Sequence, residues 1–443
     1  MEGLDYALLV VDEYQDLNAC DLAMLKSIGD RGRSILGAGD DDESIYSFRR
    51  ADPEGIRRFL ADYPAASDYT LSVTQRCGRR IVKWAGYVIL GDPSRPTNRA
   101  LPTPVATAPD GEVALLAFDT NGAEVRGVAD LVESLHCREG IPCPEILVLV
   151  HSDHDKHFSR PIREELARRG IASAHPDEVT DMLADPSNRR MLAIYRLMVN
   201  RSDSLAWAAL FKLASGIGAT FFTRLYDRAI TQVKTLGQVV LDDYAASFPG
   251  ASSTVGARAR TVVTEVIEWL DAHPLPGSSP DEGWGDWMMR DPEGDVVPTI
   301  TDALRSLLRR IDEVIEAGAS LASYLNQIAP LGKDIALAEA EGVRIMTMAG
   351  SKGLTVEATV VLGLENGVAP RADANMSEER RLLYVAMTRS KRFLYCARAR
   401  RRTGPTAQAA GVGTGLRSHT SFRNGGPVAS QNGPAYIRGR WPP

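Results

Sequence analysis

The sequence has few of the features that mark membrane, secreted or disulfide-stabilised proteins. Its five cysteines form no C-x-x-C pair and no pattern typical of a disulfide framework, which indicates a reducing compartment. No apolar run approaches the roughly 20 residues that a membrane-spanning helix requires. The first residues, MEGLDYALLVV, lack the charged leader of a secretory signal. We therefore expect a cytoplasmic protein.

The chain also lacks an overall excess of basic residues. Its formal net charge is −6 at pH 7, so binding to nucleic acid would have to depend on local clusters of Arg and Lys. With 443 residues, of which 44% are hydrophobic and 24% charged, the chain is long enough for two or three domains with buried cores.

Apolar segments that predict β-strands alternate with helical segments near both ends of the chain. This alternation predicts an α/β fold with a parallel sheet, whose ligands bind at the carboxyl ends of the strands. Between about residues 176 and 335 the apolar spacing is helical and predicts an insertion. Residues 403–443 are rich in Gly, Pro and Arg, and we expect them to be disordered. The predicted strands are LLVV, SILGAG, EVALLAF, EILVLV, VRIMTM, ATVVLGL and RFLYCA.

The first acidic cluster, DEYQD, directly follows the strand LLVV. At such a strand end Asp12 could bind Mg²⁺ and Glu13 could polarise an attacking water, as in a nucleotide hydrolase. The alternative is a solvated acidic turn in which Asp16 or Asn18 caps the next helix. This short segment favours neither interpretation by itself.

The second cluster, GAGDDDESIYSFRRA, joins three aspartates to a string of aromatic and basic residues. Aromatic rings and guanidinium groups stack on single-stranded nucleic acid and neutralise it, so Tyr46, Phe48 and Arg49 are candidates for such a contact. The alternative is that Tyr46 and Phe48 are core residues of an amphipathic turn.

Two later segments add further candidates. The loop at residues 350–353, GSKG, follows a strand and could present backbone N–H groups to an anion, or it could be an ordinary tight turn. Residues 378–391 predict a helix with Arg389 near its end. Arg389 could interact with the carboxyl end of that helix, or it could contact a phosphate as an arginine finger.

Taken in order, these segments resemble the motifs of the UvrD/Rep-like helicases of superfamily 1. DEYQD is similar to the Mg²⁺ motif of that family, and GDDDESIYSFRRA is similar to its GDDDQSIYxFRGA motif. SKGL and EERRLLYVAMTRSK are similar to its fifth and sixth motifs. Arg76 lies where the family has an asparagine–tyrosine–arginine triplet. The resemblance covers nearly the whole chain up to about Arg402.

The resemblance implies an ATP-dependent helicase that moves 3′→5′ along single-stranded DNA and uses ATP and Mg²⁺. It implies a partial first RecA-like domain and a second RecA-like, parallel-sheet domain interrupted by a helical insertion. The implied boundaries are 1–70 for the first domain, 71–175 and 336–402 for the two parts of the second, 176–335 for the helical subdomain and 403–443 for the tail.

The resemblance also implies roles for single residues. Asp12 would bind Mg²⁺ and Glu13 would be the catalytic base. Arg76 and Arg389 would contact the γ-phosphate, and Glu43 would occupy the position of a glutamine that senses it. Nucleotide binding would further involve Lys352 and Gly353. The residues expected to contact DNA are Tyr46, Phe48, Arg49, Thr347, Gly216 and Gly218, of which the last two lie in a G-x-G turn that is a weak motif by itself.

The chain departs from the family pattern at the positions expected to contact the nucleotide. No segment reads G-x-x-x-x-G-K-[S/T], the loop that cradles phosphates. In addition to Glu43, the family residues tyrosine, histidine and glutamate are replaced at Gln75, Ala349 and Thr355. We therefore expect a carboxyl-terminal part of a helicase that hydrolyses ATP negligibly unless a polypeptide partner supplies the missing loop.

Several alternatives remain open from the sequence. The chain could be a non-catalytic module that binds DNA or a protein, whereas a helicase–nuclease is disfavoured because no convincing nuclease signature follows Arg402. Among DNA structures, single strands and single-strand/duplex junctions are the expected partners.

HSDHDKH spaces three histidines as in a metal site, although a solvated polar loop is the simpler interpretation. The basic tail could add salt-sensitive affinity for DNA.

Overall fold

The structure is a computed structural model that describes residues 7–30, 34–51, 53–246, 253–290, 296–409 and 416–442. The chain divides into two compact units. The first comprises Met1–His175 and Ala340–Pro443, and the second comprises Pro176–Glu339. Within the described ranges, no helix has both the length and the apolar character needed to cross a membrane.

The first unit contains the strands and the helices that flank them. Its strands are β1 (Leu8–Val11), β2 (Ser34–Gly37), β3 (Val73–Thr74), β4 (Thr103–Pro104), β5 (Glu112–Thr120), β6 (Ile146–Val150), β7 (Ser173–Ala174), β8 (Val343–Thr347), β9 (Val356–Val361), β10 (Ser390–Arg401) and β11 (Ser430–Asn432). Its helices are α1 (Ala19–Gly29), α2 (Glu54–Arg57), α3 (Phe59–Asp62), α4 (Arg79–Leu90), α5 (Asn121–Cys137), α6 (Ser159–Arg168), α16 (Met376–Met387), α17 (Pro405–Ala409) and α18 (Gly433–Arg440).

The second unit is helical in its described residues. Its helices are α7 (Glu178–Ala184), α8 (Pro186–Val199), α9 (Ser204–Leu213), α10 (Ala219–Thr231), α11 (Leu236–Ala245), α12 (Thr254–Ala272), α13 (Trp284–Arg290), α14 (Asp302–Val314) and α15 (Leu321–Ala338). The helix α14 illustrates how they pack, because Leu304, Leu307, Leu308 and Ile311 are buried at a spacing that forms one face of a helix.

The main sheet of the first unit has the strand order β11-β5-β10-β9-β6-β8-β7, and its pairings are parallel. Every residue of β6 is buried, as expected for a strand whose sheet is covered on both faces. A separate parallel pair, β1 and β2, carries the exposed apolar side chains Leu8, Val10 and Leu36. The predicted parallel α/β fold is confirmed.

The helix predicted at residues 378–391 has different limits in the structure. It runs from Met376 to Met387, and β10 begins at Ser390. The last four predicted residues therefore lie outside the helix. The reason is that this segment pairs with β9: Ser390 lies opposite Val356, and the N–H of Val356 donates to the carbonyl oxygen of Arg389 at 3.0 Å.

The prediction of disorder after residue 402 is wrong for most of that segment. The strand β11 pairs with β5, and Ile437 of α18 and Trp441, the residue after α18, are buried in the core of the main sheet. Asn432 caps α18 by accepting a hydrogen bond from the N–H of Ala435 at 3.0 Å. The segment is polar on average, but a few apolar residues are enough to order it, because β11 can pair with β5 and the apolar side chains then pack on the sheet. Residues 410–415 and 443 lie outside the described residues.

A substitution in α18 tests this docking. Changing Ile437, which is 8% exposed, to Ala should lower the free energy of unfolding by about 2 kcal/mol, because a buried apolar side chain is lost. The neighbouring change Arg438→Ala, on the exposed side of the helix, should alter it by less than about 0.5 kcal/mol. Urea unfolding monitored by circular dichroism measures both changes, and equal values for the two variants would contradict the docked helix.

Candidate functional site

The carboxyl end of β1 positions the first acidic cluster. Glu13 adopts a left-handed backbone conformation (φ 52°), which is uncommon for a residue other than glycine. Its N–H donates to Asp12 Oδ1 at 2.8 Å, and its carboxylate accepts from Gln15 Nε2 at 2.5 Å. Asp12 itself is exposed. The next helix, α1, is capped by Asn18, so the helix-capping interpretation of this segment is correct for that residue.

Lys352, from the loop after β8, joins this cluster although it lies far away in the sequence. Its side chain is 6% exposed, and its Nζ lies 2.7 Å from Asp16 Oδ2, 3.1 Å from Glu13 Oε2 and 3.0 Å from the carbonyl oxygen of Glu43. Burial lowers the pKa of Lys352, but the hydrogen bond and the charge of Asp16 outweigh burial and raise it. Lys352 is therefore a charged group held by two carboxylates.

Asp16 is a member of this cluster that the sequence suggested only as a helix cap. Burial raises the pKa of Asp16, and its hydrogen bond to Lys352 opposes that rise. The second carboxylate oxygen, Oδ1, is buried and has no hydrogen-bond partner among the described residues. Such an oxygen fits a hydrated Mg²⁺ or a water molecule, since carboxylate oxygens are ligands that Mg²⁺ prefers.

Arg389 lies at the end of α16 and is only 1% exposed. Its Nε donates to the carbonyl oxygen of Val385 at 2.8 Å, so it does interact with the carboxyl end of the helix. Its Nη2 also donates to Glu43 Oε1 at 2.9 Å. Burial lowers the pKa of Arg389, and the carboxylate of Glu43 opposes that shift. Glu43 thus provides the counter-charge for a buried guanidinium.

Arg76 is the second of the two predicted phosphate contacts, and it lies close to the first. Its Nη1 is 3.5 Å from the carbonyl oxygen of Thr388, next to Arg389 in the chain, and its side chain is exposed. The structure thereby brings Arg76, Arg389 and Lys352 together with the carboxylates of Glu13 and Glu43.

The loop at residues 350–353 is a tight turn. The N–H groups of Ser351 and Lys352 donate to the carbonyl oxygens of Met348 and Ala349, at 3.2 and 3.3 Å. These amides are consequently used within the turn, and the interpretation as an ordinary turn is correct for them. Gly353 has φ +86°, a conformation that favours glycine. Thr347 Oγ1 accepts from the N–H of Gly350 at 3.1 Å and so stabilises the same turn.

Tyr46, Phe48 and Arg49 form an aromatic and basic surface. The two rings make an edge-to-face contact with centroids 5.7 Å apart, and the guanidinium carbon of Arg49 lies 5.1 Å from the ring of Tyr46 and 5.7 Å from that of Phe48. Phe48 is 71% exposed and cannot be a core residue. Tyr46 is half-buried, and its hydroxyl donates to the carbonyl oxygen of Ala349 at 3.3 Å.

The three consecutive aspartates are held by arginines. Asp41 is 2.7 Å from Arg57 Nε, and Asp42 is 2.9 Å from Arg95 Nε. Among the residues that the structure describes, Asp40, Asp41 and Asp42 are the group of carboxylates close enough to hold a metal ion. Because arginines already occupy their oxygens, the group is a structural ion-pair network. No spacing in the sequence pointed to these arginines.

The histidines of HSDHDKH do not converge on one point. His151 Nε2 lies 2.8 Å from both oxygens of Glu379, whereas His154 and His157 lie 3.3 and 3.9 Å from Asp155. The metal-site interpretation therefore has no support in the described geometry, and the polar-loop interpretation is the better one.

Gly216 and Gly218 belong to the second unit and lie at the start of α10. Gly216 has φ +80°, and the carbonyl oxygen of Ser215 before it accepts from Arg258 Nη1 at 3.1 Å. Gly218 is the N-cap of α10, and a Cβ placed on it would meet no atom within 4 Å. Both glycines are exposed. The backbone conformation of this turn therefore favours glycine at position 216, whereas at position 218 there is room for a side chain.

Comparison with known proteins gives two family matches. Residues 4–64 match the UvrD/REP helicase N-terminal domain, and residues 299–401 match the UvrD-like helicase C-terminal domain. The chain is 26% identical over 420 residues to the ATP-dependent DNA helicase PcrA of Bacillus subtilis, a match that covers 89% of this chain and 55% of that protein. It is 25% identical over 414 residues to the ATP-dependent DNA helicase Rep of Escherichia coli, with 87% and 59% covered.

The chain thus spans little more than half the length of these relatives. The matched ranges include the acidic clusters at the ends of β1 and β2 and the helix that precedes Arg389. The chain therefore carries two segments that match the N-terminal and C-terminal domains of the UvrD/Rep-like helicases of superfamily 1.

Proposed function

We propose that the chain forms part of an ATP-dependent 3′→5′ DNA helicase or translocase, and that hydrolysis requires a phosphate-binding loop from additional polypeptide. The observation that carries this proposal is the ion-pair cluster of Lys352 and Arg389 with Glu13, Asp16 and Glu43. Buried cations with acidic partners at strand ends are the groups that phosphoryl transfer uses, since positioning and charge stabilisation dominate that reaction. The site would operate in the cytoplasm.

The described residues have definable tasks in this reaction. Bound ATP with Mg²⁺ would supply the phosphoanhydride bond and the charge that the cations balance. Asp12 and Asp16 would hold the metal, because one is exposed and the other has an oxygen without a partner. Glu13, fixed by its backbone conformation and by Gln15, would accept the proton of the attacking water.

Charge balance predicts a rearrangement during each cycle. Arg389 and Lys352 are neutralised by carboxylates of the chain itself, at 2.9 and 2.7 Å. Contact with the γ-phosphate requires Arg389 to exchange Glu43 for a phosphate oxygen. Glu43 would then oppose phosphate binding, which a glutamine at this position would not do.

The same ion pairs favour a second candidate function, a non-catalytic module that binds DNA or a protein. If Glu43 and Asp16 hold the two cations permanently, the cluster is a structural junction. The polar replacements Gln75 and Thr355 would then reflect the absence of a nucleotide. In this alternative the aromatic surface of Tyr46, Phe48 and Arg49 retains its contact with DNA.

Reconstitution separates the two functions. The purified chain should show no DNA-stimulated ATP hydrolysis alone, and it should gain activity when mixed with a polypeptide that carries the G-x-x-x-x-G-K-[S/T] loop of a UvrD-like helicase. Hydrolysis by the chain alone at the rate of a complete helicase would contradict the proposed requirement. Persistent inactivity of the mixture, together with intact DNA binding, would support the binding module.

The aromatic surface predicts the effect of a single change on DNA binding. Phe48→Ala should weaken binding of a single-stranded oligonucleotide about tenfold, because one stacked base contributes roughly 1–3 kcal/mol. Tyr69→Ala is the matched control, since Tyr69 is 85% exposed and lies outside this surface. Fluorescence anisotropy measures both affinities. A loss of less than twofold for Phe48→Ala would exclude Phe48 from the DNA contact.

A further inference from the structure

Three arginines lie together near the carboxyl ends of β9 and β10, and we call them the arginine cluster: Arg398, Arg417 and Arg423. Arg398 is in β10, and its Nη1 donates to the carbonyl oxygen of Arg417 at 3.2 Å. Leu364 links their segments: its N–H donates to the carbonyl oxygen of Ala397, next to Arg398, at 2.9 Å, and its carbonyl oxygen accepts from the N–H of Thr420, three residues before Arg423, at 3.4 Å. The charge of Arg423 also contributes to lowering the pKa of Arg398. Ligands of parallel sheets bind at this edge, beyond the carboxyl ends of the strands.

The segment at residues 416–424 is fixed against the loop that follows β9. The N–H of Asn366 donates to the carbonyl oxygen of Ser418 at 3.3 Å, and the N–H of Ser421 donates to Asn366 Oδ1 at 3.0 Å. The N–H of Thr420 donates to the carbonyl oxygen of Leu364 at 3.4 Å. The position of the arginine cluster is therefore set by main-chain bonds rather than by a mobile tail.

Glu365, the carboxylate whose charge acts on Arg398 and Arg417, is already paired with a different arginine, Arg402. Glu365 accepts from Arg402 Nε at 2.5 Å and from the N–H of Ala399 at 2.8 Å. Glu124 accepts from Arg402 Nη2 at 2.7 Å and from the N–H of Gly363 at 3.2 Å. Arg402 thereby uses both acidic groups.

Arg398 and Arg423 consequently have no carboxylate within 4.0 Å among the described residues. The Nε atoms of both are buried and lack a hydrogen-bond partner in that part of the chain. Burial lowers the pKa of Arg398 and of Arg417. Residues 410–415, AGVGTG, contain no acidic side chain that could neutralise them. Half-buried guanidinium groups such as those of Arg398 and Arg423, each with a buried Nε donor that is unused, favour an anion.

We propose that the arginine cluster binds a phosphate group, either from the backbone of a nucleic-acid strand or from a free phosphate compound. Guanidinium groups suit this ligand because their planar fork donates two parallel hydrogen bonds to phosphate oxygens. The exposed Ser418 and Ser421 lie on the same segment. The nucleic-acid source rests on the proposed DNA-binding function, whereas the free-phosphate source does not.

The test uses the full chain with Arg398→Gln and Arg423→Gln combined, and Arg438→Gln as a control. The control removes one positive charge from the exposed side of α18 and so matches the change in net charge per substitution. One arm measures binding of a labelled oligothymidylate at increasing NaCl. Removing two arginine–phosphate interactions with a single strand should reduce the slope of log K against log salt by about 1.4. The other arm measures the rise in Tm that inorganic phosphate causes relative to NaCl of equal ionic strength.

A salt slope that is reduced in the double variant but not in the Arg438→Gln control supports the nucleic-acid source. Loss of the phosphate-dependent rise in Tm, with an unchanged slope, supports the free-phosphate source. If the wild-type chain binds no oligonucleotide but gains Tm from phosphate through these arginines, the cluster stands and the proposed DNA function fails. If the double variant keeps both the slope and the phosphate effect of the wild type, the cluster is not a phosphate site. Should the double variant fail to fold, Arg423→Gln alone should reduce the slope by about 0.7.

Discussion

Replacing Arg402 by Met should lower the free energy of unfolding at pH 8 by about 3–5 kcal/mol, because it leaves buried carboxylates without their cation. Arg402 is 1% exposed, and its partners Glu124 and Glu365 are 1% and 0% exposed. Methionine fills a similar volume, so the loss arises from charge rather than from a cavity. This cluster joins α5, the loop after β9 and the end of β10.

The pH dependence of this loss has a definite sign. Burial raises the pKa of Glu365, and the charge of Arg402 opposes the rise. Without Arg402 the folded-state pKa rises further above its unfolded value, so the folded state binds a proton more readily than the unfolded state. Stability of the variant is therefore retained at low pH and lost as pH rises from the ordinary glutamate range through the raised folded-state pKa. The deficit relative to wild type should shrink between pH 8 and pH 5.5.

Arg400→Met provides the control for Arg402→Met. Arg400 lies two residues earlier in β10, is 51% exposed and has Asp119 at 3.5 Å. A surface pair of this kind contributes about 0–1 kcal/mol, with little change between the two pH values. Urea unfolding at pH 8 and pH 5.5 measures the stability of both variants. A deficit for Arg402→Met that is below about 1 kcal/mol, or equal at both pH values, would contradict the buried-charge argument.

Arg389→Ala should reduce DNA-stimulated ATP hydrolysis in the reconstituted mixture about a thousandfold or more, as expected when a guanidinium that stabilises transferring phosphate is removed. DNA affinity should change little, because Arg389 is separate from the aromatic surface of Tyr46, Phe48 and Arg49. Arg389→Lys should recover only part of the rate, since lysine keeps the charge but lacks the planar fork.

Two measurements separate this role from a structural one. Arg392→Ala removes an arginine that is 51% exposed in the same strand region and should leave hydrolysis within about twofold. Circular dichroism and urea unfolding of Arg389→Ala report whether the loss of its bonds to Val385 and Leu354 disturbs the fold. A folded Arg389→Ala variant that hydrolyses ATP within tenfold of wild type would remove Arg389 from the phosphate contact.

Local patterns in the sequence were sufficient for part of this structure. The buried strand β6 could be predicted because a fully apolar run of five residues is typical of a strand covered on both faces. The family could be recognised because motif residues at strand ends, such as Asp12 and Glu13, are adjacent in the chain. The end of α16 could not be placed correctly, since the pairing of Ser390 with β9 decided it.

The candidate site was only partly predictable. The sequence suggested Glu43 and Arg389 as separate members of one site, but not that they would bond each other over 346 positions. Lys352 was expected in a phosphate-binding loop, whereas it bonds Asp16 across 336 positions. No local periodicity encodes such pairs, because Asp16 and Glu43 follow the strands of the β1–β2 pair, whereas Lys352 and Arg389 adjoin strands of the separate main sheet. Only tertiary packing brings the two sets of side chains together.

The sequence by itself determined the α/β class, the similarity to UvrD/Rep-like helicases and the positions of the acidic, aromatic and basic motifs. These properties depend on hydrophobic periodicity and on short motifs, both of which are local. Only the tertiary structure decided which charges neutralise each other, that residues 430–440 form a strand and a helix, and that Arg398 and Arg423 have no carboxylate beside them among the described residues. The physical reason is that ion pairing and burial depend on distances between residues far apart in the chain, and those distances exist only after the sheet has formed.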